Sequence, residues 1–193
     1  MTQTFESDRA WTLLRQARAY LTGHFALTTG RHSDQFFLLA RLTERPDWLY
    51  PWAKELAGRL TPYRPAIVVG PAMGGIIPAF AVAAQWPGTR MLFAEKEGGA
   101  MRFKRGFQIE PGEPVIVVED AVTTGGSVAQ VIEAVEGLGG QVRAVGALVD
   151  RSQGSLAFSA PFEAVLRAPN IPAWEPHECP LCRQGVPLTR PKQ

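Results

Sequence analysis

Hydrophobic positions along this chain follow two spacings, and the spacing changes near residue 66. Before it, apolar residues recur at helical intervals. Ala10, Trp11, Leu14, Ala17 and Leu21 mark one face of a helix expected over residues 7–22, with Ser7 as N-cap and Gly23 just past the end. Residues 24–42 read as extended, with a turn at Thr28-Thr29-Gly30. Arg45-Pro46 opens a second helix expected to run to about Leu60, because proline in a first turn forfeits no hydrogen bond. Beyond residue 66, short unbroken apolar runs alternate with helical patterns. The runs are Ala66-Ile67-Val68-Val69, Met91-Leu92-Phe93, Val115-Ile116-Val117-Val118 and residues 142–149. The helical patterns fall at 75–86 and 127–138, the second carrying Val128, Val131, Ile132, Val135 and Leu138 on one face. A strand that is apolar at every position is buried on both sides, which implies a parallel sheet covered by helices.

The expected architecture is therefore α/β: a central parallel sheet flanked by helices over residues 61–168, a small N-terminal cap or hood over 1–60, and a Pro-rich tail over 169–193, together one domain. In such sheets ligands sit beyond the carboxyl ends of the strands. Chemistry is sought in the loops 70–75, 95–105, 119–127 and 150–154.

Composition narrows the class without changing this picture. At 193 residues, 46% hydrophobic and 20% charged, the chain can bury a sizeable core and does not have the balance of a disordered segment. Its net charge of +2 does not by itself point to nucleic acid. The longest strongly apolar stretch, 76–84, is far short of the roughly 20 residues of a membrane span. The first eight residues lack a signal-like apolar stretch, and two cysteines cannot make a disulfide framework. A cytoplasmic location is the default expectation.

The richest segment follows the run 115–118: Glu119-Asp120-Ala121-Val122-Thr123-Thr124-Gly125-Gly126-Ser127, and then a helical pattern. Two glycines allow a sharp turn and close approach of the backbone to a ligand. Thr123, Thr124 and Ser127 offer hydroxyls, and N–H groups at a helix start point outward, so the loop reads as an anion site. Adjacent carboxylates would repel a phosphate unless they face something else, such as ribose hydroxyls or Mg²⁺. There is no Gly-Lys-Ser/Thr closing the loop and no Gly-x-Gly-x-x-Gly, which argues against the common nucleotide loops.

Four apolar residues, two acids and a Thr/Gly-rich loop resemble the phosphoribosyl pyrophosphate (PRPP) motif of the type I phosphoribosyltransferases. The resemblance implies that Glu119 and Asp120 hold the ribose 2′- and 3′-hydroxyls, with Asp120 catalytic beside a developing oxocarbenium centre. It implies that the 5′-phosphate lies on residues 123–127, so that Ala121, Val122, Thr123, Thr124, Gly125, Gly126 and Ser127 join the PRPP site. Pyrophosphate would leave as its Mg²⁺ complex.

Residues 24–37, with Phe25-Ala26-Leu27, Thr29-Gly30, Ser33 and then Phe36-Phe37, resemble the N-terminal signature of orotate phosphoribosyltransferases. The similarity continues through Gly70-Pro71-Ala72-Met73-Gly74-Gly75, in the place of the pyrophosphate loop, and Lys96, in the place of a diphosphate-binding base. It extends to Arg151, in the place of an orotate-binding arginine, and spans about residues 8–190. The implied reaction moves a phosphoribosyl group from PRPP to orotate, giving orotidine 5′-monophosphate and pyrophosphate in pyrimidine synthesis. Thr123 and Arg151 would meet orotate, the arginine through its planar fork. Phe36 and Phe37 alternate across a strand, so one at most faces the base, and the pattern does not choose between them.

The chain departs from the commoner pattern at three places. Thr28 stands where many orotate enzymes have lysine, and Met73-Gly74-Gly75 stands where many have Tyr-Lys-Gly. The segment 97–106 differs from the better-known bacterial loop and resembles a subgroup that also ends in Cys-Pro-Leu-Cys. Gly98, Gly99 and Gly106 bound that segment, and Arg102, Lys104 and Arg105 make it basic. It reads as a flexible lid with a cationic tip, Lys104 being the candidate catalytic cation. The family further implies a homodimer whose lid serves the neighbouring site.

In the tail, His177, Cys179 and Cys182 place three potential Zn²⁺ ligands within six residues. A structural site wants four. His24 or His32 completes one only if the fold brings it there. A plain structural tail is the first reading, a metal site the second and a redox pair the third. For the whole chain, two rival readings remain: a phosphoribosyltransferase for a purine or xanthine, and a PRPP-sensing regulator that binds nucleic acid. The dispersed Lys and Arg fit poorly with the regulator.

Overall fold

The computed structural model describes residues 7–27 and 29–191. Thr28, one of the departures noted above, lies outside the described residues. Six strands form the central sheet: β3 (Ile67–Pro71), β4 (Arg90–Glu97), β5 (Ala100–Phe103), β6 (Pro114–Val122), β7 (Gln141–Asp150) and β8 (Phe162–Arg167), in spatial order β5-β4-β3-β6-β7-β8. All neighbours are parallel except β4 and β5, which form an antiparallel hairpin.

The apolar runs are buried on both faces, as their lack of alternation requires. Val68, Ile116, Val118 and Leu148 point to one side, against Leu49, Leu56 and Leu60 of α3 (Pro46–Leu60) and Val82 of α4 (Ile76–Ala83). Ile67, Val69, Val115, Val117 and Val145 point to the other, against Val128, Val131, Ile132 and Val135 of α5 (Gly126–Glu136). Each such side chain contributes about 1.5–3 kcal/mol by leaving water. Truncating Leu56, fully buried, to alanine would cost roughly 2–5 kcal/mol.

The N-terminal part departs from its pattern. The first helix, α1 (Ser7–Gln16), ends a turn and a half early, after which Arg18 takes φ 51 and strand β1 (Tyr20–Ala26) begins. Leu21, which fits the helical stripe, is a strand residue, because the chain gains more by pairing β1 with β2 (His32–Phe37) than by extending an isolated helix. Residues 40–42, expected to be extended, fall in a short helix α2 (Ala40–Thr43). Two strands had no clear signal. β8 is short and lies at the sheet edge, and β5 is only four residues long.

The tail packs on the hood hairpin from both sides. Trp174 exchanges two main-chain hydrogen bonds of 2.8 Å with His32 on β2, and Thr189 pairs with β1 through the N–H of Ala26 and the carbonyl of His24. Near its end it makes one turn of helix, α6 (Pro180–Arg183). No described helix is long and apolar enough to cross a membrane.

Candidate active site

The carboxyl ends of β3, β6 and β7 converge at the middle of the sheet, and each delivers one part of a cleft. β6 delivers the acid pair. Glu119 is buried, Asp120 is half-buried, and Ala121 and Val122 are still paired with β7. The Glu119 carboxylate accepts the N–H of Asp120 at 3.0 Å, and that of Asp120 accepts the N–H of Ala121 at 2.6 Å. Burial first, and then the neighbouring Asp120 charge, push the Glu119 carboxyl up to about 9. Near neutral pH this pair therefore resists carrying two negative charges.

β3 delivers a loop that lies directly on those acids. A Cβ on Gly74 would fall 2.8 Å from an Asp120 carboxylate oxygen, and one on Gly75 would fall 3.0 Å from a Glu119 oxygen. At Gly75 a Cβ would also fall 2.6 Å from Pro71 and 2.9 Å from the Val118 carbonyl, so that position requires glycine, whereas at Gly74 only the Asp120 side chain would have to shift. The peptide joining Ala72 and Met73 is cis. Lys96 is exposed on β4, two residues beyond Ala94, whose carbonyl receives the Ala72 N–H at 2.8 Å. Gly74, Gly75 and Lys96 thus border the same rim.

After β6 the chain turns into α5 through Gly125, at φ 77, where a Cβ would strike Phe158 and Leu156. Thr123, Thr124, Gly126 and Ser127 are exposed, and no side chain caps the start of α5. Its first N–H groups and three hydroxyls face outward, an arrangement suited to an anion. Val122 differs from the other residues of this segment. Its side chain is in the core and its carbonyl receives the Arg151 N–H at 2.8 Å.

β7 delivers Arg151. Asp150 organises this turn by accepting the N–H and hydroxyl of Ser152 at 2.8 and 2.6 Å. The guanidinium lies over the ring of Phe37, 5.2 Å from its centre, and the Arg151 Nε is buried without a hydrogen-bond partner among the described residues. Burial lowers the Arg151 pKa, which the Asp120 charge partly offsets. An arginine so held has an unmet need for an anionic, planar partner. The two phenylalanines differ in their surroundings. Phe37 carries Arg151 and packs with Trp11 and Tyr20, whereas Phe36 packs on Phe25. Phe37 as a platform and Asp150 as an anchor carry no sequence signal of their own, since both look like ordinary strand residues.

The lid expectation needs correction. Residues 97–106 do not form a loop with a cationic tip. They belong to the β4–β5 hairpin, whose tip is Gly98-Gly99 at φ 57 and 89. Arg102 pairs across the hairpin from Glu95, and Lys104 and Arg105 lie at its far base. Lys104 contacts Glu97 at 2.8 Å, which raises its pKa, and Arg105 contacts Glu95 at 2.7 Å. The glycines serve a tight turn, and alternating charge across the strands makes a paired arm. Within the chain, Lys104 is matched to Glu97 and not to the acid pair. His177 also departs from expectation. It is exposed and lies 3.8 Å from Glu178, away from Cys179 and Cys182.

Comparison with known proteins agrees with this geometry. Residues 51–175 match the model of the phosphoribosyl transferase domain. A protein from Caldanaerobacter subterraneus named orotate phosphoribosyltransferase is 45% identical over 186 residues, covering 96% of this chain and 97% of its own. One of the same name from Pelotomaculum thermopropionicum is 46% identical, covering 95% and 96%. Among solved structures, orotate phosphoribosyltransferase from Aeropyrum pernix superposes with a TM-score of 0.68 at 26% identity, over 81% of this chain and 92% of that one.

Proposed function

The chain belongs to the phosphoribosyl transferase family, and from that premise we propose that it transfers the 5-phosphoribosyl group of PRPP to orotate, giving orotidine 5′-monophosphate and pyrophosphate. The observation that carries the choice of acceptor is Arg151, a half-buried guanidinium stacked on Phe37 with an unpartnered Nε beside the acid pair. A carboxylated pyrimidine satisfies it. A neutral purine can offer it an acceptor but no opposing charge.

In this reading residues 123–127 hold the 5′-phosphate, and Glu119 and Asp120 meet the ribose hydroxyls. Gly74, Gly75 and Lys96 line the diphosphate side, and Thr123 sits at the junction of base and ribose. The pyrimidine N1, giving up its proton to the departing pyrophosphate or to water, bonds to the ribosyl carbon as the bond from that carbon to the pyrophosphate oxygen breaks. Asp120 stabilises the positive charge that grows there. The donor set suits Mg²⁺, because hard carboxylate oxygens border a rim where the acids resist a second negative charge. Held there with PRPP, the ion would supply charge neutralisation for the pyrophosphate. Lys104, with Arg102 and Arg105 on the same arm, acts on the diphosphate of a partner subunit in a homodimer. The chain is read as one cytoplasmic domain of hood, core and tail.

The deciding assay supplies PRPP and Mg²⁺ with orotate, uracil, hypoxanthine or xanthine and follows pyrophosphate release. Turnover with orotate alone is expected. Preference for a purine would overturn the acceptor, and no turnover with any base would favour a regulator.

A further inference from the structure

Two histidines and the two cysteines of the chain meet at a place remote in sequence and independent of the acid pair. We propose that His24, His32, Cys179 and Cys182 form a structural Zn²⁺ site that clamps the C-terminal tail onto the hood hairpin. One ligand atom from each lies within 4.8 Å of every other. The His24 Nε2 is 3.2 Å from the His32 Nδ1, 3.4 Å from the Cys179 Sγ and 3.6 Å from the Cys182 Sγ, and the Cys182 Sγ is 3.3 Å from the His32 Nδ1. A tetrahedron built on Zn–N of about 2.0 Å and Zn–S of about 2.3 Å has edges of about 3.3 Å between nitrogens and about 3.5 Å between nitrogen and sulfur. The observed separations match those edges closely, and two thiolates with two imidazoles form a common structural zinc set.

Orientation supports the same conclusion. The His24 Nδ1 lies 2.8 Å from the Val186 carbonyl. An N–H there donates to that oxygen, leaving the Nε2 lone pair directed at the cluster, the usual outer support of a zinc-bound histidine. The two rings are edge-on, with centres 5.0 Å apart. Cys179 is fully buried and begins α6, whose single turn returns Cys182 to the same point.

The fold also needs such a clamp. Of residues 171–190, Cys179 is the one buried residue, so the tail has almost no apolar core of its own. A bound metal supplies the anchoring energy that burial does not. The hairpin so clamped carries Phe37, on which Arg151 rests.

The test uses the full chain purified without chelator. Elemental analysis should find about one zinc per chain, the count for one four-ligand site. Cys182→Ser should lose most of it, and His177→Ala should keep it. Metal-free protein given Co²⁺ should show intense visible bands of tetrahedral cobalt with thiolate charge transfer, and chelation should lower Tm by several degrees. Should Cys182→Ser fail to fold, the cobalt spectrum of the wild-type chain still decides. The proposal is overturned if the protein holds no zinc and gives no thiolate–cobalt band, if a Cys179–Cys182 disulfide forms instead, or if zinc persists without both cysteines.

Discussion

The acid pair and the basic arm stand on the same sheet, yet they are held by opposite means. Glu119 and Asp120 sit at the end of a strand buried on both faces, under two glycines of which Gly75 leaves no room for a Cβ, and their oxygens are tied to main-chain N–H groups. Lys104 and Arg105 project from an exposed hairpin and are tied to carboxylates that solvent also reaches. The first arrangement cannot move without unpacking the core. The second costs little to exchange, because exposed ion pairs are weak and screened. The same sheet therefore carries a rigid acidic floor and an adjustable cationic arm.

The sharpest challenge to that contrast is Asp120→Asn. It keeps the volume and removes the charge, so turnover should fall by about 100-fold or more, the scale of losing one transition-state electrostatic contact. Circular dichroism should confirm an intact fold, and normal turnover would remove Asp120 from the mechanism. Next in size, Arg151→Ala should raise the KM for orotate by about 10- to 100-fold, consistent with loss of a charge-assisted hydrogen bond. The KM for PRPP should change by no more than a few-fold. Equal losses for both substrates would mean that Arg151 supports structure.

Lys104→Ala separates floor from arm more directly. Its Tm should be unchanged, since the Glu97 pair is exposed, while kcat drops about tenfold from loss of one ionic contact to the diphosphate. Mixing Lys104→Ala subunits with Asp120→Asn subunits then asks whose site the arm serves. In a two-fold dimer with the arm acting in trans, each heterodimer regains one intact site and about half of the activity of a wild-type dimer. No recovery would mean that the arm serves its own chain.

The smallest effect expected is on stability, from Glu119→Gln. The folded-state pKa of Glu119 lies above its ordinary value of 4.5, at about 9. Its contribution is thus fully present below about pH 4.5 and is lost as pH rises toward 9. Glutamine does not ionise, so the variant should match the wild type at pH 4 and melt a few degrees higher at pH 8, by differential scanning calorimetry. Equal melting temperatures at both pH values would show that Glu119 is not held in its neutral form.

Where a residue's environment came from its own neighbours in sequence, the chain could be read directly. The unbroken runs around Val68, Ile116 and Val145 announce strands buried on both faces, and Pro46 marks the start of α3. The segment 119–127 carries its acids, hydroxyls and glycines in one stretch, so its character as an anion site is local. The length of α1 and the hairpin at 97–103 were misread because both depend on which strand lies alongside. Leu21 fits a helix as well as a strand, and Gly98-Gly99 suits a mobile loop as well as a tight turn.

Sequence alone thus determined the class of the fold, the buried central strands and the acid, hydroxyl and glycine loop at 119–127, since each follows from spacing within about ten residues. Tertiary structure alone decided which ring lies under Arg151, why Gly75 must lack a side chain, and that Lys104 faces Glu97. It also exchanged His177 for His24 and His32 beside the two cysteines, a cluster that joins the hood hairpin to the tail. The physical reason is the same in each case. A contact between distant segments is set by how the whole chain packs, and no local pattern of polarity records it.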